Sequence, residues 1–406
     1  MQYKNKRVFI TGIGGFVGSY LARELIKHGA TVSGLINVEF DGKEPKNLKE
    51  KHILKNVKLI EGDLLDRQSI IKALKTTKPD YIFHLAAQSS VFKSFINPVE
   101  TFEINVKGTG NLLESIRSTN KKPRVLFTGT SEEYGFVAIN HEQVSRYLKL
   151  HKTIFPFPER YPEIPVNESN PFRPMSPYAV SKIACDLMMR DYYNSFGIPT
   201  IVARAFNHEG KGRGPNFVTS VITSQVAKLF LGKINSIKIG NVNALRDWSH
   251  VLDVVKGYML LLDKGTPGDV YNIGSGRANS VLTYILIALE TAGYKVISLH
   301  SIENDKTIDH PLEKDNGNMF GFRFYRTKTD RLIMDGELEF SIEDKGIIIE
   351  TDKGNVKITF DRERFRPSDI PIIICDNSKI KKLGFKVKHS LRDIIKEQVK
   401  FYINNE

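Results

Sequence analysis

Two short runs of this chain carry residue types that could move protons and hydride. One is Thr130–Glu132 (TSE) and the other is Tyr178–Lys182 (YAVSK). Residues four apart share one face of a helix, which places the Tyr178 phenol beside the Lys182 ammonium. The ammonium favours the phenolate, a form that an unperturbed tyrosine reaches only near pH ~10. The pair predicts removal of a proton from a sugar hydroxyl while a nicotinamide ring takes the hydride.

Glu132 adds a carboxylate that the oxidation of an alcohol does not require. Oxidation at one carbon makes the proton on the next carbon acidic, and a carboxylate is a suitable base for that proton. Thr130 is expected to hydrogen-bond the oxygen that becomes the ketone. The run holds a single carboxylate, so Glu132 is expected both to take and to give a proton. The pattern predicts loss of water, although a solvated loop carboxylate beside Glu133 is the open alternative.

The N-terminal segment has the pattern of a dinucleotide site. Arg7–Thr11 reads as a short strand, Gly12–Gly18 holds the GxxGxxG spacing, and Ser19–His28 reads as the helix that follows. In this arrangement the backbone N–H groups and the positive helix end face a pyrophosphate. The order strand, glycine turn and helix favours cofactor binding over a plain structural turn.

The next strands are expected to complete the cofactor site. The second ends at Asn37, which is neither the acidic residue typical of NAD sites nor an arginine typical of NADP sites. Glu39 and Asp41 are expected in the loop beyond it, so the sequence leaves NAD and NADP open. The third and fourth strand ends are expected to contact adenine and the dinucleotide backbone. The predicted cofactor-binding residues are Gly12, Gly15, Phe16, Val17, Gly18, Asn37, Asp63, Leu64, Leu85, Ala86, Ala87, Gln88, Tyr178 and Lys182.

Composition excludes several classes of protein. Of 406 residues, 41% are hydrophobic and 26% are charged, which is typical of globular proteins. The net charge of +13 comes from scattered lysines rather than a basic stripe, so no nucleic-acid partner is expected. Two cysteines, without a CxxC motif, predict neither a disulfide framework nor a metal site. With no signal peptide and no apolar run of membrane length, a cytoplasmic protein without a membrane partner is expected.

Alternating strands and helices up to Phe127 predict an α/β fold with a Rossmann-type doubly wound parallel sheet. We expect a dinucleotide-binding domain over residues 1–205 and a smaller C-terminal substrate-binding lobe over 206–406, with some chain crossing between them. Two insertions are expected, at about 136–165 and 302–361. The second reads as an antiparallel β insertion with strand-like runs at Phe322–Tyr325, Gly336–Phe340, Gly346–Glu350 and Gly354–Ile358.

With these motifs in place, the chain resembles the extended short-chain dehydrogenase/reductase family, and within it the GDP-mannose 4,6-dehydratases. Further likenesses are a strand end, a sugar and nucleotide loop, and two arginine-containing runs. They are His84–Val91, Phe206–Glu209 with Phe217–Thr219, Arg246–His250 (RDWSH), and Arg364–Ile370 (RFRPSDI). The resemblance covers about residues 6–135, 166–300 and 360–403.

The chain also departs from that family. Gly210–Gly214 stands where the family has an arginine-rich segment, Asn37 replaces an arginine typical of NADP sites, and Asp369 replaces a glutamate. Both insertions are extra. Arg246 could pair with Asp247 or Asp253 instead of a phosphate.

The resemblance implies a nucleotide-diphosphate-sugar substrate and a nucleotide-sugar 4,6-dehydratase reaction. GDP-mannose would be oxidised at carbon 4, lose water across carbons 5 and 6, and receive the hydride at carbon 6. The implied catalytic residues are Thr130, Glu132, Tyr178 and Lys182. The implied substrate-binding residues are Ser89, Asn207, Val218, Arg246, Arg366 and Asp369. The resemblance slightly favours NADP over NAD and implies a homodimer or homotetramer.

Three other functions share some of these residues. A nucleotide-sugar 4-reductase or epimerase of the same family uses Tyr178 and Lys182 but does not need Glu132. A UDP-glucuronate decarboxylase shares the TSE run, but the Ser-Pro-Tyr setting of Tyr178 is unlike that of such enzymes. A catalytically silent protein that senses the cofactor could keep the glycine turn alone, and the presence of Tyr178 with Lys182 disfavours it.

Overall fold

The computed structural model describes residues 3–119, 121–302, 307–366 and 369–405. The strands of this described part are, in chain order, β1 (Arg7–Thr11), β2 (Thr31–Ile36), β3 (Val57–Glu61), β4 (Tyr81–His84), β5 (Arg124–Thr130), β6 (Thr200–Ala205), β7 (His208–Glu209), β8 (Ser236–Ile239), β9 (Leu245–Arg246), β10 (Ser249–His250), β11 (Val270–Ile273), β12 (Asn279–Ser280), β13 (Val296–Ser301), β14 (Thr307–Asp309), β15 (Lys314–Asp315), β16 (Arg326–Thr327), β17 (Ile347–Thr351) and β18 (Gly354–Phe360).

The α-helices are α1 (Phe16–Lys27), α2 (Val38–Asp41), α3 (Lys46–Glu50), α4 (Arg67–Thr77), α5 (Val91–Ile96), α6 (Pro98–Phe102), α7 (Gly108–Arg117), α8 (His141–His151), α9 (Pro177–Phe196), α10 (Val218–Phe230), α11 (Val251–Lys264), α12 (Val281–Thr291), α13 (Lys328–Met334), α14 (Ser378–Lys382) and α15 (Leu391–Ile403). A π-helical segment, Glu103–Lys107, joins α6 to α7. Within the described ranges, no helix is both long and apolar enough to cross a membrane.

A seven-stranded parallel sheet forms the centre of the molecule, in the order β11-β6-β5-β4-β1-β2-β3. Side chains alternate between its faces. Val8 and Ile10 of β1 pack against α1 and α11, whereas Phe9 packs on the opposite face among residues of α4, α7 and α9. Helices therefore cover both faces, and the predicted doubly wound α/β fold is confirmed.

A second sheet, in the order β14-β13-β17-β18-β8, lies in the C-terminal part of the chain. Its inner residues pack with α10, α12 and α15 in a separate apolar core. The chain also crosses back, since β11 pairs with β6 in the large sheet. The division at residue 205 stays a prediction.

The second predicted insertion is only partly a β structure, and residues 303–306 lie outside the described part. The runs Gly346–Glu350 and Gly354–Ile358 form β17 and β18, but the strands expected at Phe322–Tyr325 and Gly336–Phe340 are wrong. A capping box, in which Thr327 and Asp330 bond each other's backbone N–H groups, starts helix α13 between them. The helix leads into Gly336, whose positive φ turns the chain.

Candidate active site

The glycine turn between β1 and α1 brings the backbone close to the neighbouring strand end. Gly12 has a φ of +73°, and a Cβ there would lie 2.8 Å from the Ala86 nitrogen. A Cβ at Gly18 would lie 2.1 Å from the Gly12 carbonyl oxygen. Only glycine fits these two positions. Gly15 precedes α1, which begins at Phe16 and includes Val17, so the helix N-terminus points its free N–H groups toward the turn.

The ends of β2 and β3 meet beside this turn. The Asn37 side chain accepts the Glu39 N–H at 3.1 Å and donates to Asp63 Oδ2 at 2.8 Å. Asp63 also accepts the Leu65 N–H at 2.7 Å, and Leu64 is buried. The expectation that Glu39 and Asp41 lie in a loop is wrong, because Asn37 caps the single-turn helix α2 that contains both.

The end of β4 completes the cofactor side. Thr11 Oγ1 accepts the N–H groups of Leu85 and Ala86 at 3.2 and 3.1 Å. Gln88 is held by protein groups, because its side chain bonds Ser90 and Thr101. Ala87 is half-buried, and Ser89 is exposed just beyond. All the predicted cofactor residues of the first four strands thus lie along one edge of the sheet.

The TSE run forms a 3₁₀ turn, Ser131–Glu133, at the end of β5. Thr130 Oγ1 accepts the Glu132 N–H at 3.3 Å, and the Thr130 side chain also hydrogen-bonds that of Tyr178. Glu132 is half-buried and close enough to raise the pKa of Tyr178 by its charge. The structure thus brings the threonine, the carboxylate and the phenol together.

Tyr178 and Lys182 lie near the start of α9, which Ser176 caps by accepting the Ala179 N–H at 3.1 Å. Burial is the main reason why the pKa of Tyr178 lies above its usual value, and the Glu132 charge raises it further. Lys182 Nζ donates to the Thr128 carbonyl at 2.9 Å. The spacing predicts that Lys182 lowers the pKa of Tyr178. In the protein without cofactor the pKa is instead raised, by burial first and then by the charges of Glu132 and Glu133.

Sequence reasoning missed a buried charge cluster behind these residues. Glu133 Oε1 accepts the Thr130 N–H at 2.7 Å, and Glu133 Oε2 lies 3.2 Å from Arg204 Nε. The same nitrogen lies 2.9 Å from Asp186 Oδ2. Asp186 follows Lys182 by one turn of α9, so one guanidinium joins the TSE turn to the Tyr–Lys helix. The i, i+4, i+8 spacing of Tyr178, Lys182 and Asp186 places the three side chains on one helix face, and this spacing could have indicated the cluster from the sequence.

On the substrate side, Arg246 and Arg366 converge on Asp369. Arg246 Nη2 lies 2.7 Å from Asp369 Oδ1, and Arg366 Nη1 lies 3.7 Å from the same oxygen. The alternative that Arg246 pairs with Asp247 or Asp253 is therefore wrong. Pro367 and Ser368, in the run that resembles a nucleotide-contact segment, lie outside the described residues.

Asn207 and Val218 flank a loop that packs on the glycine helix. Arg213 lies 3.5 Å from Glu209 Oε2, and its guanidinium carbon is 3.5 Å from the Phe217 ring centroid and 5.4 Å from that of Phe16. Its charge also acts to lower the pKa of Tyr178. Arg213 is therefore a further candidate for contact with a phosphate, at a position where the sequence shows only a weakened arginine segment.

Two protein-family models match the chain. The model of the NAD dependent epimerase/dehydratase family matches residues 8–274, and that of GDP-mannose 4,6 dehydratase matches residues 160–398. The GDP-mannose 4,6-dehydratase of Vibrio cholerae serotype O1 is 30% identical, over 97% of this chain and 93% of that protein. The Cricetulus griseus GDP-mannose 4,6 dehydratase is 30% identical, over 97% and 90%.

Solved structures share the fold. RMD from Pseudomonas aeruginosa, complexed with NADPH, matches with a TM-score of 0.67 and 21% identity, covering 99% of this chain and 100% of that one. UDP-glucose 4-epimerase from Thermotoga maritima, with UDP-glucose, matches with a TM-score of 0.69 and 22% identity, covering 98% and 99%.

Fold, glycine turn and Tyr–Lys helix together define a nicotinamide-dependent enzyme of the epimerase/dehydratase class, with a nucleotide sugar as substrate. Within that class, the chain belongs to the GDP-mannose 4,6-dehydratase family.

Proposed function

We propose that this protein converts GDP-mannose to GDP-4-keto-6-deoxymannose. The observation that carries the proposal is Glu132, a carboxylate placed beside the Thr130–Tyr178 pair at the carboxyl edge of the sheet. Oxidation and reduction alone do not require it, whereas elimination of water does.

Each residue has a part in this reaction. Tyr178 takes the proton of the hydroxyl on carbon 4, and Thr130 holds the same oxygen. A nicotinamide held by the glycine turn and the strand ends would supply the acceptor for the carbon 4 hydride and the donor for carbon 6, and its oxidised ring would add a positive charge that favours the Tyr178 phenolate. Glu132 takes the proton of carbon 5 and donates one to the hydroxyl that leaves carbon 6 as water. The cofactor is regenerated in each cycle.

Arg246 and Arg366 suit the diphosphate of the substrate. Both are guanidiniums, which bind phosphate oxygens in pairs, and both lie against Asp369. Ser89, Asn207 and Val218 complete the proposed substrate contacts. Asp369 holds the two arginines in place, and the substrate phosphates supply the remaining negative charge.

The test is turnover of GDP-mannose by the full chain without added NADH or NADPH. We expect a 4-keto product, which is detected by its absorbance in alkali. We also expect no net change in the redox state of the bound cofactor. Formation of product only with stoichiometric reduced cofactor indicates the 4-reductase instead. A change to the 4-epimer without a keto product indicates the epimerase.

Glu132→Gln removes the base and keeps the size of the side chain. We expect kcat to fall at least ~100-fold, the scale of general acid–base catalysis, with cofactor binding retained. Glu142→Gln, which removes an exposed carboxylate at the start of α8, is the matched control. Near-normal turnover by Glu132→Gln reassigns the base.

The resemblance also implies a homo-oligomer, and we propose a homodimer. Apolar side chains of α5, α6 and α9 that are exposed on the single chain support it. They include Phe92, Ile96, Val99, Val180 and Leu187. An exposed apolar surface shared by packed helices is typical of a protein–protein contact.

A further inference from the structure

The carboxylate of Asp41 lies between the two walls of the adenosine pocket. In a dinucleotide fold the adenosine ribose sits between the end of the second strand and the glycine turn. Asp41 Oδ2 accepts the Asn37 N–H at 3.0 Å, at the end of β2. A Cβ built on Gly14, in the glycine turn, would lie 2.9 Å from Asp41 Oδ1. The carboxylate therefore contacts both walls.

We propose that Asp41 selects NAD over NADP, by accepting hydrogen bonds from the ribose hydroxyls and repelling a 2′-phosphate. This deepens the proposed function, on which it rests for the presence of a dinucleotide, by naming the cofactor of the same site. It also departs from the slight preference for NADP that the family resemblance implies.

Asp41 Oδ2 accepts the Asn37 N–H, and a carboxylate has further lone pairs that can accept hydrogen bonds from the ribose hydroxyls. Burial raises the pKa of this carboxyl, and the Asn37 N–H opposes the shift. Two ribose hydroxyls supply the donors that a half-buried carboxylate favours. A 2′-phosphate supplies further negative charge to the same place and no donor when fully ionised.

The neighbouring groups add negative rather than positive charge. The Asn37 amide is bonded to the Asp63 carboxylate at Oδ2, whereas the Glu39 side chain, in the same helical turn as Asp41, is exposed to solvent. The segment 37–51 contains no arginine that could pair with a 2′-phosphate.

Three lysines of this segment contact other groups. Lys46 lies 3.7 Å from Glu50, and Lys49 lies 3.2 Å from Glu44. Lys51 lies over the Tyr20 ring, 4.2 Å from its centroid. Lys43 is exposed on the chain between α2 and α3. The charged side chains expected nearest the ribose are therefore carboxylates rather than cations.

The test measures direct binding of NADH and NADPH to the full chain by nicotinamide fluorescence. No sugar substrate is present, so the measurement does not depend on turnover. We expect wild-type protein to bind NADH at least ~10-fold more tightly than NADPH. In Asp41→Asn we expect this ratio to fall by about tenfold, mainly through tighter binding of NADPH. Glu39→Gln removes an exposed carboxylate from the same helical turn and is the matched control, with the ratio unchanged.

Three outcomes overturn the proposal: equal or tighter binding of NADPH by the wild type, an unchanged ratio in Asp41→Asn, or an equal change in Glu39→Gln. Circular dichroism checks the fold of each variant, and Asp41→Ser replaces Asp41→Asn if that variant does not fold. Because binding is measured without sugar, a failure here leaves the GDP-mannose assay unaffected. Loss of GDP-mannose turnover, in turn, leaves the NADH to NADPH ratio unaffected.

Discussion

At the scale of single residues, the Arg204 guanidinium joins two elements of the proposed active site that are distant in the sequence. It lies against Glu133, behind the TSE turn, and against Asp186 of the Tyr–Lys helix. All three side chains are almost fully buried. A second guanidinium, that of Arg190, lies 2.8 Å from Asp186 Oδ1. Burial raises the pKa of Glu133, and the charges of Arg204 and Lys182 oppose this shift.

Arg204→Met leaves the buried Glu133 carboxylate without its guanidinium, whereas Asp186 keeps Arg190 at 2.8 Å. We expect the free energy of unfolding to fall by about 3–5 kcal/mol, the usual cost of removing one partner of a buried pair. Adding Glu133→Leu removes one of the two carboxylates, so the double variant should recover part of this loss. Urea denaturation of the single and double variants measures the coupling, and strictly additive losses contradict it.

At the scale of elements, the function depends on how strand ends are tied to the helices that cross them. His84, the last residue of β4, bonds Thr11 of β1 through Nδ1 at 2.8 Å and Thr109 of α7 through Nε2 at 3.0 Å. The π-helical segment next to α7 holds Asn105, which donates to Ser181 Oγ at 2.9 Å, between Tyr178 and Lys182. A π segment within a helix is common at functional sites.

Burial lowers the pKa of His84 to about 3 from an ordinary 6.5. Below pH ~6.5 the unfolded chain takes up a proton that folded His84 does not, so stability falls as pH decreases toward about 3. We expect His84→Gln to reduce this slope by up to ~1.4 kcal/mol per pH unit. Denaturation at pH 7, 6 and 5 measures it.

His208 acts in the same direction, since its burial lowers its pKa to about 4, and this remains in the His84→Gln variant. His52→Asn is the matched control, because His52 is exposed and its φ of +55° suits asparagine. An equal slope in wild type and His84→Gln disproves the assignment to His84.

At the scale of the whole molecule, the proposed dimer surface lies on the helices that carry the active site. Val180 and Leu187 lie on α9, two turns apart and on one face, and α5 and α6 pack against this helix. Dimer formation at this surface would therefore stabilise the position of α9, the helix that contains Tyr178. The exposed apolar residues elsewhere, such as Leu150 of α8, lie on a different part of the chain.

We expect Val99→Lys with Leu187→Lys to convert the dimer to a monomer, because two lysines at the interface bring unpaired charge into an apolar contact. Sedimentation velocity measures the mass. Leu150→Lys alters a similarly exposed apolar residue outside this surface and should leave the mass unchanged. A monomeric wild type, or a dimer that survives the double variant, rejects this surface.

Patterns that are local in the sequence were sufficient to predict much of the fold of this protein. The GxxGxxG spacing, the four-residue distance from Tyr178 to Lys182 and the alternation of strands and helices each depend on backbone geometry over a few residues. They predicted the central sheet, the glycine turn and the helix of the Tyr–Lys pair. The same reasoning failed where helix caps and glycines overrode a strand-like pattern, as at Phe322–Tyr325.

Only the tertiary structure decided which charges meet. Arg246 lies against Asp369, which is distant in the chain, rather than against its neighbours Asp247 and Asp253. Glu133 is buried against Arg204 although it follows Glu132 directly, and Asp41 reaches back to the glycine turn. Which side chains pair, and which are buried, depends on how distant segments pack together. The cost of ionising a side chain depends more on this environment than on its residue type.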